Sequence, residues 1–408
     1  MTVTVQSFSY KGRDASGKLV KGKIDAASES VVVSRLRTMG LTPVSIDEAG
    51  TGLNREISLG AFEKQVGLKD LAVMSRQLAT MMSAGLSLLR AISILAAQTE
   101  NKTLAKTLVA VRGQVEGGSS LSESLGKHKQ VFPPLMVHLV KAGETGGFLD
   151  QALESVAATF ESDVKLRATI KSALTYPVVV LMMAVVAVIG MLIFIVPVFE
   201  QMFADLGGEL PLPTQVLVVL SKAMVWLGPL LVVLIVAFVF WWRKNKNTDR
   251  VRSIVDPWRL KMPVFGDLFS KVAIARFTRN FATMTGSGVP VLQSLAIVGD
   301  TSGNWVIEKA LQNVAESVRS GRTIAEPLAE EPMFPSMVTQ MIAVGEDSGA
   351  LEQMLHKIAD FYDDEVQSTT EQLTALIEPL MIGVIGVVIG GMIVALYMPV
   401  FSIFEQVG

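Results

Sequence analysis

Three apolar runs, residues 174–196, 223–242 and 379–400, contain no Asp, Glu, Lys or Arg. A helix of about 20 residues covers a hydrocarbon core of about 30 Å, so each run is long enough to cross a bilayer. Half of the chain is apolar (50%), and the mean hydropathy of +0.45 is too high for an ordinary soluble protein. The chain is therefore expected to be a mainly α membrane protein with three transmembrane helices.

Basic residues set the expected orientation. Arg243, Lys244, Lys246, Arg250, Arg252, Arg259 and Lys261 follow the second run and Lys165, Arg167 and Lys171 precede the first, whereas residues 197–221 carry no basic residue. By the positive-inside rule both long polar regions face the cytoplasm. Lys222 stands on the opposite side but can reach outward to water. The N-terminus lacks the basic start and apolar core of a secretory signal, so it is expected to be cytoplasmic and the C-terminus external.

The sequence also repeats itself, a signal that bears on the whole architecture. Residues 76–89 (RQLATMMSAGLSLL) match 279–292 (RNFATMTGSGVPVL), and Leu121 and Leu125 match Ile324 and Leu328. After the loss of one residue, Phe132-Pro133 matches Phe334-Pro335, Glu144 matches Glu346, Pro177 matches Pro379 and PVF at 197 matches PVF at 399. Each unit is a polar helical body that ends in an apolar exit helix. Two such units in parallel need one return helix, which accounts for the middle run.

Within each body the spacing is helical: Leu71, Met74, Leu78, Met81; Leu104, Leu108, Val111, Val115; Leu149, Leu153, Val156, Phe160. Ser120 with Glu123 and Thr323 with Glu326 read as capping boxes. Pro133, Pro134 and Pro335 suit a first helical turn. The expected body is a bundle of five or six short helices whose last helix runs into the membrane.

The resulting boundaries are a small N-terminal α+β segment (1–50), a linker (51–67), a first cytoplasmic helical bundle (68–173) and transmembrane helix 1 (174–196). An external loop (197–222), transmembrane helix 2 (223–242) and a basic linker with an interfacial segment (243–270) follow. A second bundle (271–376), transmembrane helix 3 (377–400) and an external tail (401–408) complete the chain. In the first segment, two strand candidates surround a turn, a helix ends at Gly40 and a third strand follows.

Sites of chemistry are scarce. The chain has no cysteine, and only His128, His138 and His356 could supply imidazole, so neither a thiol nor a histidine metal centre is expected. GRDASGKL (12–19) has the glycine and lysine spacing of a phosphate loop, but Leu19 replaces the magnesium-binding hydroxyl and the segment joins two strands, so a hairpin turn is expected. Intramembrane catalysis needs ionisable groups at depth, and Thr175, Tyr176 and Tyr397 sit only near run ends. Glu352 and His356 share a helix face and read as a surface pair. Trp258, Arg259 and Lys261 suit an interfacial anchor.

Two features remain as candidate contacts. Gly386 and Gly390, extended by Gly383 and Gly391, form a face of small residues that lets helix backbones approach in lipid, within one subunit or between two. Glu144 and Glu346 each sit among glycines, in AGETGG (142–147) and VGEDSG (344–349). One reading is turn chemistry: Gly143 and Gly345, like Gly85 and Gly288, adopt a left-handed turn, and each carboxylate lies at the start of the next helix. The other is an interface or cation contact shared by the two bodies or by two subunits.

These stretches, with GLTPVSI at 40–46, ALTYPVVV entering the first run, VPVFEQMFADLGGELPLPTQ after it, KMPVFGDLF opening the second body and IEPLMI entering the third run, together resemble the platform proteins of type IV pilus and type II secretion machines, the GspF/PilC family. FADLGGELPLPT and MPVFGDLF are more similar to pilus-type members. The resemblance implies a non-enzymatic membrane platform with no cofactor and no catalytic residue. It further implies cytoplasmic contact with a hexameric assembly ATPase, pilin or pseudopilin subunits in the membrane, inner-membrane alignment proteins and further copies of itself, and no nucleic acid. The rival of another class is an oligomeric transporter or channel subunit.

Overall fold

A computed structural model describes residues 6–13, 19–26, 29–40, 42–48, 65–205, 210–246 and 248–407. The expected linker thus lies mostly outside the described residues. The chain divides into two units, residues 1–64 and 65–408.

In the first unit, strands β1 (Gln6–Arg13), β2 (Leu19–Ala26) and β3 (Thr42–Glu48) form an antiparallel sheet of order β2-β1-β3, with helix α1 (Glu29–Thr38) between β2 and β3. Arg13 pairs with Leu19, so the glycine-lysine segment connects two hairpin strands. A phosphate loop would open a helix there. Ala26, Val32 and Leu36 form the small core with Tyr10 and Ile24 against it, and Gly40 turns the chain out of α1 at φ +74°.

In the second unit the first body comprises α2 (Leu68–Ser83), α3 (Leu88–Gln98), α4 (Lys102–Glu116), α5 (Leu121–Gly126), α6 (Pro134–Gly146) and the start of α7 (Leu149–Gly190). The chain continues through a π-turn (Met191–Ile195), α8 (Val196–Asp205), the return helix α9 (Leu212–Asn245) and α10 (Asp249–Lys261). The second body repeats the first as α11 (Gly266–Gly286), α12 (Val291–Thr301), α13 (Trp305–Arg319), α14 (Ala325–Glu330), α15 (Ser336–Ser348) and the start of α16 (Leu351–Val407).

Local chemistry explains the repetition. Asn101 and Asn304 cap α4 and α13 through side-chain oxygens that accept two backbone N–H groups each. Gly85 and Gly288 leave α2 and α11 at φ +81° and +71°, which lets the following N–H donate back to Met81 O and Met284 O. Leu71, Met74, Leu78, Leu104, Leu108, Val111, Leu153, Val156 and Phe160 are buried, and Met81, Val115 and Leu149 pack partly against them. The cores of the two bodies are continuous. Phe132 and Phe334, equivalent in the repeat, are both buried, and each contributes about 1.5–3 kcal/mol relative to exposure.

Helices α7 and α16 do not stop at the bodies. Each continues through Pro177 or Pro379 into its apolar run, and among the described residues three helices are long and apolar enough to cross a membrane: α7 with its extension, α9 and α16. The expected external loop is largely helical, because α8 extends the first run and α9 begins at Leu212. Lys222 pairs with Glu200 Oε1 at 2.7 Å.

Candidate functional site

Glu144 and Glu346 occupy equivalent places and do the same thing. Glu144 Oε1 and Oε2 accept the backbone N–H groups of Leu121 and Ser122 at 2.5 and 3.1 Å. Glu346 accepts those of Ile324 and Ala325 at 2.7 and 2.8 Å. Each carboxylate thereby caps a short helix, α5 or α14, that precedes it in the chain. The expected partner was the following helix; the actual one lies more than twenty residues back, where two adjacent amides without intrahelical partners point at one forked anion.

The capping boxes divide accordingly. Half of the first box forms: Ser120 Oγ accepts the Glu123 N–H at 3.1 Å, while the Glu123 carboxylate lies 3.4 Å from Lys127. The Thr323–Glu326 box does not form: the start of α14 has no cap from a neighbouring side chain, Glu346 takes its amides, and Glu326 lies 3.4 Å from Arg322.

The glycines around each carboxylate also need reassignment. Gly143 and Gly345 are buried inside α6 and α15, and neither is left-handed. The left-handed residues are Gly147 and Gly349, at φ +76° and +68°. Gly143 instead permits close approach, since a Cβ there would meet Ala152 Cβ at 2.5 Å and Leu149 Cα at 3.0 Å; at Gly345 it would meet Leu351 Cα at 2.9 Å. The unit is G-E-x-x-G: one glycine brings two helices together, the glutamate fastens a third, and the last glycine reverses the chain.

The bodies meet along α7, α11 and α16. Thr159 and Thr283 hydroxyls lie 3.2 Å apart, Arg276 Nε lies 3.3 Å from Asp163 Oδ1, and Leu166, Leu268, Val366 and Leu373 form an apolar cluster at the membrane end. Arg76 forks onto Glu161 at 2.6 and 2.7 Å, and its repeat equivalent Arg279 holds Asp363 at 2.7 Å. The Arg76 hydrogen bonds keep the Glu161 carboxyl below the usual range, whereas burial pushes that of Asp363 up despite Arg279. Glu352 is exposed and His356 half-buried, on one face of α16. They line a crevice of about 200 Å³ with Thr159, Arg279 and Thr283, and a Cβ at Gly286 would strike the Glu352 carboxylate.

His138 of α6 faces Gln293 of α12 across the seam, with Gln293 Nε2–H donating to Nδ1 at 3.4 Å. Burial, and then Lys141, lower the His138 pKa below its usual 6.5. The neutral ring is the bonded form, so this contribution is complete above about pH 6.5 and is lost as pH falls through the depressed folded value. Thermal unfolding of the His138→Gln variant should be less acid-sensitive than wild type between pH 7 and 5.

At the far ends of the spans a second arrangement appears that the sequence reading missed. The Val196 N–H donates to Met191 O in the π-turn; the next such step would need an N–H from Pro197, which has none, and Leu192 O instead accepts Ser221 Oγ–H at 2.5 Å. In α16, Pro399 cannot supply the N–H that Ala395 O would normally accept, and Thr214 Oγ1–H donates to that carbonyl. Both hydroxyls are buried and stand two turns apart on α9. The duplicated PVF thus opens one carbonyl per exit helix, and the return helix answers both. Leu192, Val196, Val218, Met392 and Leu396 pack around these bonds. Converting Thr214 to Val and Ser221 to Ala should cost about 0.6–1.7 kcal/mol each, seen as easier separation of the spans in cysteine cross-linking between residues 196 and 218.

The third span shows the opposite condition. A Cβ at Gly383, Gly386, Gly390 or Gly391 would meet nothing within 4 Å, so no other described element packs closely there.

The fold and these joints define a class: a three-span membrane protein built from two copies of one helical body, each body leading directly into the bilayer. The model of type II secretion system (T2SS), protein F, matches residues 74–197 and again 277–399, and that of its N-terminal domain matches 5–47. The chain belongs to this family. It is similar to the type IV pilus assembly protein PilC of Thermus thermophilus, 44% identical over 397 residues (97% of this chain and 98% of the relative). It is also similar to PilC of Myxococcus xanthus, 42% identical over 400 residues (97% and 94%), and to type II secretion system protein F of Vibrio cholerae, 33% identical over 399 residues (97% and 98%).

Proposed function

We propose that this protein is the inner-membrane platform of a filament-assembly machine, and that its two cytoplasmic bodies receive motion from a hexameric assembly ATPase and pass it to the membrane, where pilin or pseudopilin subunits are extracted. The observation that carries this reading is the unbroken passage of α7 and α16 from the seam between the bodies into the spans. Relatives that bear the pilus assembly name over nearly the whole chain support the pilus form. The protein itself supplies no catalytic chemistry in this scheme. Its open glycine face at 383–391 and the exposed flanks of its spans are where a second copy or a pilin would pack.

Full-length protein in lipid nanodiscs should bind the assembly ATPase of the same organism in at least one nucleotide state. Absence of binding in every state would sink the proposal. Orientation is tested separately: cysteines at Asp205 and Asp249, both exposed, should react with an impermeant thiol reagent from outside only and inside only, respectively. Leucine at Gly386 and Gly390 should abolish cross-linking through the third span while leaving the monomer folded.

A further inference from the structure

At the end of the membrane where the bodies lie, a cavity of about 620 Å³ opens between α7, the end of α9, α10 and α11. Its basic groups are Arg167, Lys246, Arg252, Arg259 and Arg276, and its acids are Asp256 and Asp300. Some of this charge is already matched. Arg252 pairs with Glu308 at 2.8 Å, Arg276 lies beside Asp163, and Asp256 accepts the Trp305 N–H at 3.0 Å while holding Arg259 at 3.7 Å. What is left is positive. Among the described residues the side chains of Arg167 and Lys246, both exposed, have neither a hydrogen bond nor an ion pair.

Two further observations say what kind of anion fits. A second cleft of about 260 Å³ shares Asp256, Arg259 and Arg276 with the first, and it is walled on its other side by Ile170, Leu268, Phe269 and Val272. A charged chamber therefore adjoins an apolar slot. On α10, Ile254 and Trp258 are 73% and 64% exposed one turn apart, and α9 ends in Trp241 and Trp242, side chains of the kind that settle at a bilayer interface. Basic pockets between membrane helices suit lipid headgroups.

We infer that this paired cavity binds one anionic phospholipid from the adjoining leaflet, its phosphate among Arg167, Arg259 and Arg276 and an acyl chain against Ile170 and Phe269. The bound lipid ties α10 to the base of α7, and so joins the linker between the repeats to the first exit helix. The inference rests on the membrane reading alone and is independent of ATPase coupling.

The test is native mass spectrometry of the full chain in neutral detergent, titrated with phosphatidylglycerol or phosphatidylcholine. One phosphatidylglycerol per chain should be retained in preference to phosphatidylcholine, and millimolar inorganic phosphate should not displace it. The double substitution Arg167→Gln with Arg259→Gln should weaken retention about thirty-fold, whereas Arg167→Lys with Arg259→Lys should keep most of it. Equal retention of the two lipids, displacement by inorganic phosphate, or undiminished retention in the glutamine variant would each overturn the assignment. Loss of binding in the lysine variant while the helical content is intact would overturn it as well.

Discussion

Replacing Glu144 or Glu346 with alanine is expected to destabilise its body by about 2–4 kcal/mol, because two charge-assisted hydrogen bonds to half-buried amides vanish together. Hydrogen exchange reads this directly: protection should fall at Leu121 and Ser122 in the first variant and at Ile324 and Ala325 in the second. Glutamine keeps one acceptor oxygen and should lose less than half as much. On the proposed function, the double alanine variant should also lose filament output, since both joints lie immediately before the long helices. Unchanged protection at all four amides would show that the carboxylates do not cap these helices in solution.

Alanine at Gly143 or Gly345 should cost about 1–3 kcal/mol through forced overlap, although alanine at a helix interior ordinarily gains about 1 kcal/mol over glycine. Overlap wins because the obstructing atoms at both sites include backbone, Leu149 Cα and Leu351 Cα. Gly113, in α4, is the control: nothing lies within 4 Å of a Cβ there, so Gly113→Ala should stabilise. Chemical denaturation of the three variants gives opposite signs if this geometry holds, and a stabilised Gly143→Ala would refute it.

Much of the architecture was legible because its determinants are local or repeated. Uncharged runs, heptad-like stripes and the match of Arg76 with Arg279 are patterns along the chain. The duties of Gly143 and Gly147 were not separable, since both are glycines at a helix end and only the packing of Ala152 against the first decides between them. Glu144 was noticed without its partner, because a contact to residues 121 and 122 leaves no spacing rule behind. Thr323 and Glu326 satisfied such a rule and yet form no cap, because α14 starts one residue later than its equivalent α5 and the residue before it is Ile324, in helical backbone. Ser221 and Thr214 fell in a stretch read as loop. The signal that would have found them is proline: two copies of PVF open two carbonyls among the apolar helices, and something polar must close them.

The prolines at the other end of the spans have a mechanical consequence. Helices α7 and α16, of 42 and 57 residues, are rods of about 60 and 85 Å at 1.5 Å per residue. Pro177 and Pro379 each delete one rung of hydrogen bonding at the same level in the two rods, where the apolar run begins. Bending stiffness falls at those two points, while the covalent backbone still carries torsion through them. A twist applied to either body therefore arrives at the far leaflet as a twist, and a sideways push is absorbed as a tilt at the membrane surface.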